Sequence, residues 1–203
     1  NRLNVSFDYF NKTTKDALLE TSSPGYIGGT TYWVNAGEVN NKGIEATING
    51  QIIQTKDWTW STTLNVSYLK NKVTKMTASD PIIYGQTPSP GTVDPCTIIK
   101  EGEAIGTFYG FKWAGVEKND KGEYVDMYYT ADGNKTADPD ASKDRFILGH
   151  SNPDVTLGWN NTITYKNWDF NVFCNAAFGA KRLNMVRFAM NSMVGASMFV
   201  TDK

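Results

Sequence analysis

Gly43-Ile44-Glu45-Ala46-Thr47-Ile48-Asn49-Gly50-Gln51-Ile52-Ile53-Gln54-Thr55-Lys56-Asp57-Trp58-Thr59-Trp60-Ser61-Thr62-Thr63-Leu64-Asn65-Val66-Ser67-Tyr68 decides the fold of this chain. Side chains alternate along a strand with a period of two, so Ile44, Ala46, Ile48, Gly50 and Ile52 share one face, and Glu45, Thr47, Asn49 and Gln51 the other. After a turn at Thr55-Lys56-Asp57, Trp58, Trp60, Thr62, Leu64, Val66 and Tyr68 alternate with Thr59, Ser61, Thr63, Asn65 and Ser67. The plan recurs downstream. Val155, Leu157, Trp159, Asn161, Ile163 and Tyr165 alternate with Thr156, Gly158, Asn160, Thr162 and Thr164. Past the Lys166-Asn167 turn, Trp168, Phe170, Val172, Cys174, Ala176 and Phe178 alternate with Asp169, Asn171, Phe173, Asn175 and Ala177.

Soluble strands average about 5 to 6 residues, whereas a tilted strand crossing a bilayer needs about 9 to 11. These runs have the longer measure. Trp58, Trp60, Tyr165 and Trp168 cluster beside the short turns, where amphipathic rings suit a headgroup layer, and the opposite face is rich in Asn, Thr and Ser, as a water-filled lumen requires. The pattern therefore predicts an all-β fold, an antiparallel transmembrane β-barrel fragment with long extracellular loops. Ile44, Ile48, Leu64, Val66, Leu157, Ile163, Phe170 and Val172 are expected toward lipid, and Glu45, Asn49, Asn65, Asn160, Asn171 and Asn175 toward the lumen. A soluble β-sandwich with one polar face remains compatible with the same alternation.

Between the strands, residues 11–41, 73–102 and 119–153 are dense in turn formers, including Ser23-Pro24-Gly25, Pro88-Ser89-Pro90-Gly91 and Asp138-Pro139-Asp140, and read as long connections. Long loops at one end and short turns at the other match the asymmetry of outer-membrane barrels, which places Lys56-Asp57 and Lys166-Asn167 on the periplasmic side. Short β-pairing of its own is expected around Phe108 to Val116, where Gly102, Gly106, Gly110 and Gly115 suit a loop better than a lipid-facing strand.

Composition narrows the function classes. With 203 residues and a formal net charge of −1, the chain lacks the basic footprint of a nucleic-acid binder. Cys96, in a Pro-rich stretch, reads as an exposed free thiol and Cys174, on an apolar strand face, as a packed one. The chain opens on strand-like alternation from Arg2 to Phe10 with no secretion signal, and it reads as an internal segment of a longer protein.

Several segments carry a family resemblance. Asn35-Ala36-Gly37-Glu38-Val39-Asn40-Asn41-Lys42-Gly43-Ile44-Glu45, then Gly102-Glu103-Ala104-Ile105-Gly106-Thr107-Phe108-Tyr109-Gly110-Phe111, then Gly149 to Gly158 with Asn152-Pro153 inside it, resemble the C-terminal barrel half of SusC-like (RagA-like) TonB-dependent outer-membrane transporters. The opening Arg2 to Phe10 strand with Asp16-Ala17-Leu18-Leu19, and Trp168-Asp169-Phe170 leading to Phe178-Gly179-Ala180, fall in the matching order. The resemblance implies a bacterial outer-membrane location, a barrel of about 22 strands and a plug domain outside this segment. It also implies coupling to TonB, a SusD-like surface lipoprotein as partner, and oligosaccharide or peptide as substrate. On this view residues 1–203 are part of one β-barrel domain embedded in outer-membrane lipid.

The chemistry of catalysis is weakly represented. His150 is the lone histidine, so a His-based zinc site is excluded, and Glu101 and Glu103 flank a glycine as solvated loop carboxylates. Asp126, Asp132, Asp138, Asp140 and Asp144 form an acidic stretch whose spacing does not fit an EF-hand loop, and it reads as a solvated turn. No enzyme activity, cofactor or metal is expected. Loop aromatics Tyr26, Tyr32, Trp33 and Tyr84 are the candidates for contact with a substrate or a lid. The competing function is a secreted or surface carbohydrate-binding β-sandwich, with the tryptophans as sugar platforms.

Overall fold

The structure, a computed structural model, describes residues 2–22, 31–77, 81–86 and 95–184, the side chains of residues 19–22, 31–36 and 86 excepted. Its strands are β1 (Leu3–Ser22), β2 (Thr31–Gln54), β3 (Trp58–Met76), β4 (Ile82–Gln86), β5 (Pro95–Ile99) and β6 (Thr107–Phe111). They continue with β7 (Trp113–Lys118), β8 (Tyr124–Tyr129), β9 (Lys135–Thr136), β10 (Arg145–His150), β11 (Val155–Tyr165) and β12 (Trp168–Phe178). The chain divides into two units, residues 1–79, 101–104 and 152–181 in the first, and 80–100, 105–151 and 182–203 in the second.

The first unit is one antiparallel sheet in the order β1-β2-β3-β11-β12. The alternation read from sequence sets its register. Tyr9 pairs with Ile44, Ile44 with Tyr68, Tyr68 with Val155 and Val155 with Phe178, so one apolar row crosses all five strands. Leu64 likewise lies between Ile48 and Trp159, and Asn65 between Thr47 and Gly158. A slip of one residue would exchange the two faces, so the apolar pattern itself fixes the pairing.

At the short-turn end, Trp58 and Tyr165 are cross-strand partners with ring centroids 4.5 Å apart. The Thr55 hydroxyl accepts the Trp58 amide at 3.0 Å, and the Lys166 amide donates to the Asp57 carbonyl at 2.9 Å, which ties the two turns together. The two-residue turn Lys166-Asn167 places Lys166 at φ 51°, a conformation that a non-glycine residue adopts at some cost. Closer to this end, Ile52 departs from the expected alternation. The β2–β3 register shifts between Gln51 and Ile53, so Ile53 takes the place opposite Trp60 and Ile52 is the extra residue of a bulge.

The long connection expected from residue 11 to 41 is mostly strand. β1 and β2 have 20 and 24 residues, and their pairing runs out to Ser22 and Thr31. The same holds for the start of the 73–102 stretch, since β3 continues to Met76 opposite Gly37. Beyond the apolar rows the exterior face turns polar, and on the other face Val39 and Val73 are buried opposite each other among polar neighbours; backbone hydrogen bonds carry the ladder on, and the missing apolar period made these residues read as loop. Register shifts at Thr14/Ala17 on β1 and at Glu38/Val39 on β2 bend this outer part of the sheet.

The second unit holds a four-stranded sheet, β10-β6-β5-β4, and a three-stranded one, β7-β8-β9. The pairing expected near Phe108 to Val116 is present, with β6 against β5 and β10, and β7 against β8. Pairing is wider than expected, however, because β4, β5, β8, β9 and β10 also fall inside stretches read as connections. Ile98 and Ile99 are buried here, and Arg145 stacks its guanidinium 5.2 Å from the Phe111 ring centre.

Candidate functional site

The chemistry of the first unit lies in the contrast between the faces of its sheet. Leu3, Val5, Phe7, Tyr9, Ile44, Ile48, Tyr68, Trp159, Phe170 and Phe178 all lie on one face and all are exposed, Phe7 by 65% and Phe170 by 60%. So large an apolar surface in water would mark an interaction site or an aggregation hazard. Among the described residues no helix is long and apolar enough to cross a membrane, so any crossing is made by strands. From the Trp58-Tyr165-Trp168 row to the Tyr68-Val155-Phe178 row is ten residues on β3. At about 3.3 Å per residue and a tilt of about 40°, that spans about 25 Å, the height of a barrel's apolar band.

Polar atoms within this band are paired. The Trp60 indole N–H donates to Asn161 Oδ1 at 3.2 Å, and the Trp159 indole N–H donates to Thr62 Oγ1 at 2.9 Å. Asn161 is buried, which a polar side chain on a lipid face tolerates only when hydrogen-bonded. Sequence reasoning missed this pairing. The signal was present, since Asn161 and Thr62 interrupt the apolar series at the same height as each other and one step from a tryptophan.

On the other face, hydrogen bonds run between strands from side chain to side chain. Thr47 Oγ1 donates to Asn65 Oδ1 at 2.9 Å, Thr63 Oγ1 to Asn49 Oδ1 at 2.8 Å, and Asn171 Nδ2 to Thr162 Oγ1 at 2.8 Å. Asp8 stands directly opposite Glu45, with Ser6 and Ser67 hydroxyls donating to them at 3.3 and 3.4 Å. This is a wetted, hydrogen-bonding surface carrying paired negative charge.

The four aromatic candidates are not brought together by what is described. Tyr26 lies outside the described residues. Tyr32 and Trp33 belong to β2, paired with Thr21 and Glu20, and their side chains also lie outside the described residues. Tyr84 is exposed, on β4 of the second unit, where its carbonyl accepts the Thr97 hydroxyl. The cysteine expectation is reversed: Cys96 is half-buried in β5, and Cys174 is exposed on the apolar face. In a membrane wall an apolar strand face points outward, so apolar neighbours did not imply burial. His150 ends β10 opposite Thr107.

The acidic stretch organises its own backbone. Asp144 is buried, and its two oxygens accept the Ala131 amide at 2.9 Å and the Asp140 amide at 2.8 Å. Asp140 in turn accepts the Ser142 hydroxyl and amide, and these bonds, with Lys143 nearby, hold its pKa below the usual carboxylate range. A depressed carboxylate contributes stability above its unfolded pKa and loses it as pH falls through the folded value, so this turn loosens only in acid. Asp126 accepts the Trp113 indole N–H at 3.0 Å. Asp144→Ala leaves two amides without acceptors, and about 1–3 kcal/mol of local stability is expected to be lost. Hydrogen exchange should show the Ala131 and Asp140 amides losing protection together, and unchanged protection at both would count against this clamp.

The sequence model of a family described as "TonB dependent receptor-like, beta-barrel" matches residues 1–180. The chain is 37% identical over 214 residues to TonB-dependent receptor P3 of Formosa agariphila, an alignment that covers 100% of the chain and 21% of that protein. It is 30% identical over 181 residues to TonB-dependent receptor SusC of Bacteroides thetaiotaomicron, covering 87% of the chain and 18% of that protein. Among solved structures, the RagAB peptide transporter matches with a TM-score of 0.74 at 22% identity, over 88% of this chain and 19% of that one. The RagAB peptide importer in its closed-closed state matches with a TM-score of 0.72 at 25% identity, over 89% of this chain and 20% of that one. The chain thus spans about a fifth of the length of the relatives it matches.

Proposed function

This chain belongs to the TonB-dependent receptor-like β-barrel family, and from that membership we propose that it forms part of the wall and outward segments of an outer-membrane importer of oligosaccharide or peptide. Residues 1–203 are then one stretch of a single barrel domain. The observation that carries this reading is the five-stranded sheet, with one exposed apolar face bounded by aromatic rows and one hydrogen-bonded polar face. The competing β-sandwich needs its apolar face covered by a second sheet, whereas Leu3, Val5 and Phe7 here are 57–65% exposed.

The intact importer would draw energy through TonB and work with a SusD-like surface lipoprotein, as likeness to SusC and to the RagAB assemblies supports. Peptide is the substrate class named for RagAB, and oligosaccharide is the other class expected here. The wall contributes by physics rather than by bond chemistry. Its polar face offers Asn, Thr and Ser groups that exchange hydrogen bonds with a passing hydrophilic solute, while Asp8 and Glu45 disfavour anions. Outward segments held on this rigid sheet are the natural place for selective contacts, with Tyr26, Tyr32, Trp33 and Tyr84 as candidates.

Uptake by cells expressing the full-length transporter, with labelled oligosaccharides and peptides in parallel, tests the substrate class. Tyr84→Ala is expected to lower uptake several-fold, because an exposed aromatic contact contributes about 1–2 kcal/mol when it binds, with surface expression unchanged. Wild-type uptake by this variant would remove Tyr84 from the candidates.

A further inference from the structure

The exterior face of the sheet changes character abruptly beyond the Tyr9-Ile44-Tyr68-Val155-Phe178 row. Even-numbered positions of β2 and β3 share that face, and the next row holds Asn11, Lys42 and Lys70, followed by Thr13, Asn40 and Lys72. After the register shift, Lys75 pairs with Glu38. Successive rows on one face are about 7 Å apart along a strand, so four lysines occupy a stripe that begins one step above the aromatic edge of the apolar band. All four are exposed. Neither of the two ion pairs formed among the described residues involves them.

Carboxylates adjoin part of the stripe: Glu38 stands opposite Lys75, Glu101 lines a shallow cleft with Lys72, Val73, Thr74 and Gly102, and the Glu103 carbonyl accepts the Val73 amide beside Lys72. Between the lysines, Asn40 Nδ2 donates to Asn11 Oδ1 at 2.6 Å and to Thr13 Oγ1 at 3.0 Å, so the stripe is a fixed polar surface. The same rows on the opposite face carry Asn41, Asn71, Val39 and Val73, with Lys12 as their lysine. The short-turn end of the band carries Lys56 and Lys166, and Lys56 adjoins Asp57. On these outer rows the exterior face therefore carries four lysines and the opposite face one.

The geometry points to a binding site on this stripe for the phosphate groups of a lipid headgroup in the outer leaflet, with Lys42, Lys70, Lys72 and Lys75 as its cationic contacts. Cations just outside an apolar band meet the headgroup layer, and each lysine near an anionic surface strengthens binding about fivefold. The long side chains let the ammonium groups follow the headgroup while their stems cover the edge of the band. A soluble acidic protein would meet only the charge. A lipid meets the charge and the apolar face below it together, and the direct continuity of the two on one sheet face favours the lipid. This inference rests on the outer-membrane wall reading and on the short turns lying in the periplasm.

The test uses the full-length transporter in detergent, titrated with bis-phosphorylated lipid A, the same lipid with its phosphates removed, and inorganic phosphate, with binding followed by native mass spectrometry. Replacing Lys42, Lys70, Lys72 and Lys75 together by Gln is expected to weaken phosphorylated lipid binding at least tenfold, to the level of the dephosphorylated lipid. Replacing Lys56 and Lys166 by Gln should leave it unchanged. Equal binding by wild type and the fourfold variant would overturn the site. So would saturation of the stripe by inorganic phosphate without lipid, or loss of surface-lipoprotein capture with lipid binding intact. Labelling of the native Cys174, exposed on the apolar face, by a bilayer-soluble maleimide in a Cys96→Ser background tests the wall reading separately: labelling there with no lysine effect would refute this site alone.

Discussion

Leu64→Arg should cost the folded barrel about 2–4 kcal/mol, whereas Asn65→Arg, one residue away, should cost far less. Leu64 stands midway between the aromatic rows, flanked by Ile48 and Trp159 on the apolar face. Placing a guanidinium there forces either desolvation or a long reach to the headgroups. Asn65 lies on the polar face, where its Oδ1 accepts the Thr47 hydroxyl at 2.9 Å. An arginine there loses one neutral hydrogen bond but keeps its water. Val66→Arg, one row nearer the outer aromatics, should be milder than Leu64→Arg, since the cost falls toward the interface. The measurement is the folded fraction in the outer membrane across a urea series for full-length variants. Equal tolerance at Leu64 and Asn65 would mean that the faces are assigned wrongly.

That facing was legible because the alternation is long and nearly unbroken. In Gly43 to Tyr68 and Val155 to Phe178 the apolar residues vote for the same register with Ile53, Phe173 and Ala177 as exceptions, and the observed pairs follow the majority. What escaped were features that a period cannot encode. The Gln51/Ile53 shift is one inserted residue, costless to the composition of the strand, and it moved Ile53 into the place expected for Ile52. The outer parts of β1, β2 and β3 were hidden for a different reason. Thr13, Asn40, Asn71 and Lys72 are polar on both faces, so nothing in their pattern separates a strand extended into water from a loop. Cys174 shows a further blind spot, because periodicity separates two faces but does not say which is solvated by lipid. The aromatic candidates were chosen on residue type alone, and type gives no geometry that could gather Tyr84 with the others.

Glycines in the segment 35–45 offer the sharpest test of the outer sheet. A Cβ at Gly43 would lie 2.2 Å from the Tyr68 carbonyl oxygen and 2.6 Å from the Phe10 ring, at an ordinary backbone angle. Gly43→Ala therefore carries a packing cost alone, about 1–3 kcal/mol. Gly133 has φ 83° and nothing within 4 Å of the added carbon, so Gly133→Ala carries a conformational cost alone, about 1–2 kcal/mol. Gly37 combines both, with φ 133° and a Cβ position 1.9 Å from the Lys75 carbonyl oxygen, at the place where β1 and β2 shift register. Gly37→Ala should then be the most damaging of the three, about 2–5 kcal/mol. Phe10→Ala should recover part of the Gly43→Ala loss, since the ring gives way while the Tyr68 carbonyl does not, and it should recover none of the Gly37→Ala loss. Outer-membrane assembly of the full-length variants ranks them. If Gly37→Ala assembles as well as Gly133→Ala, the close approach of β2 to β3 at Lys75 is not a constraint on the fold.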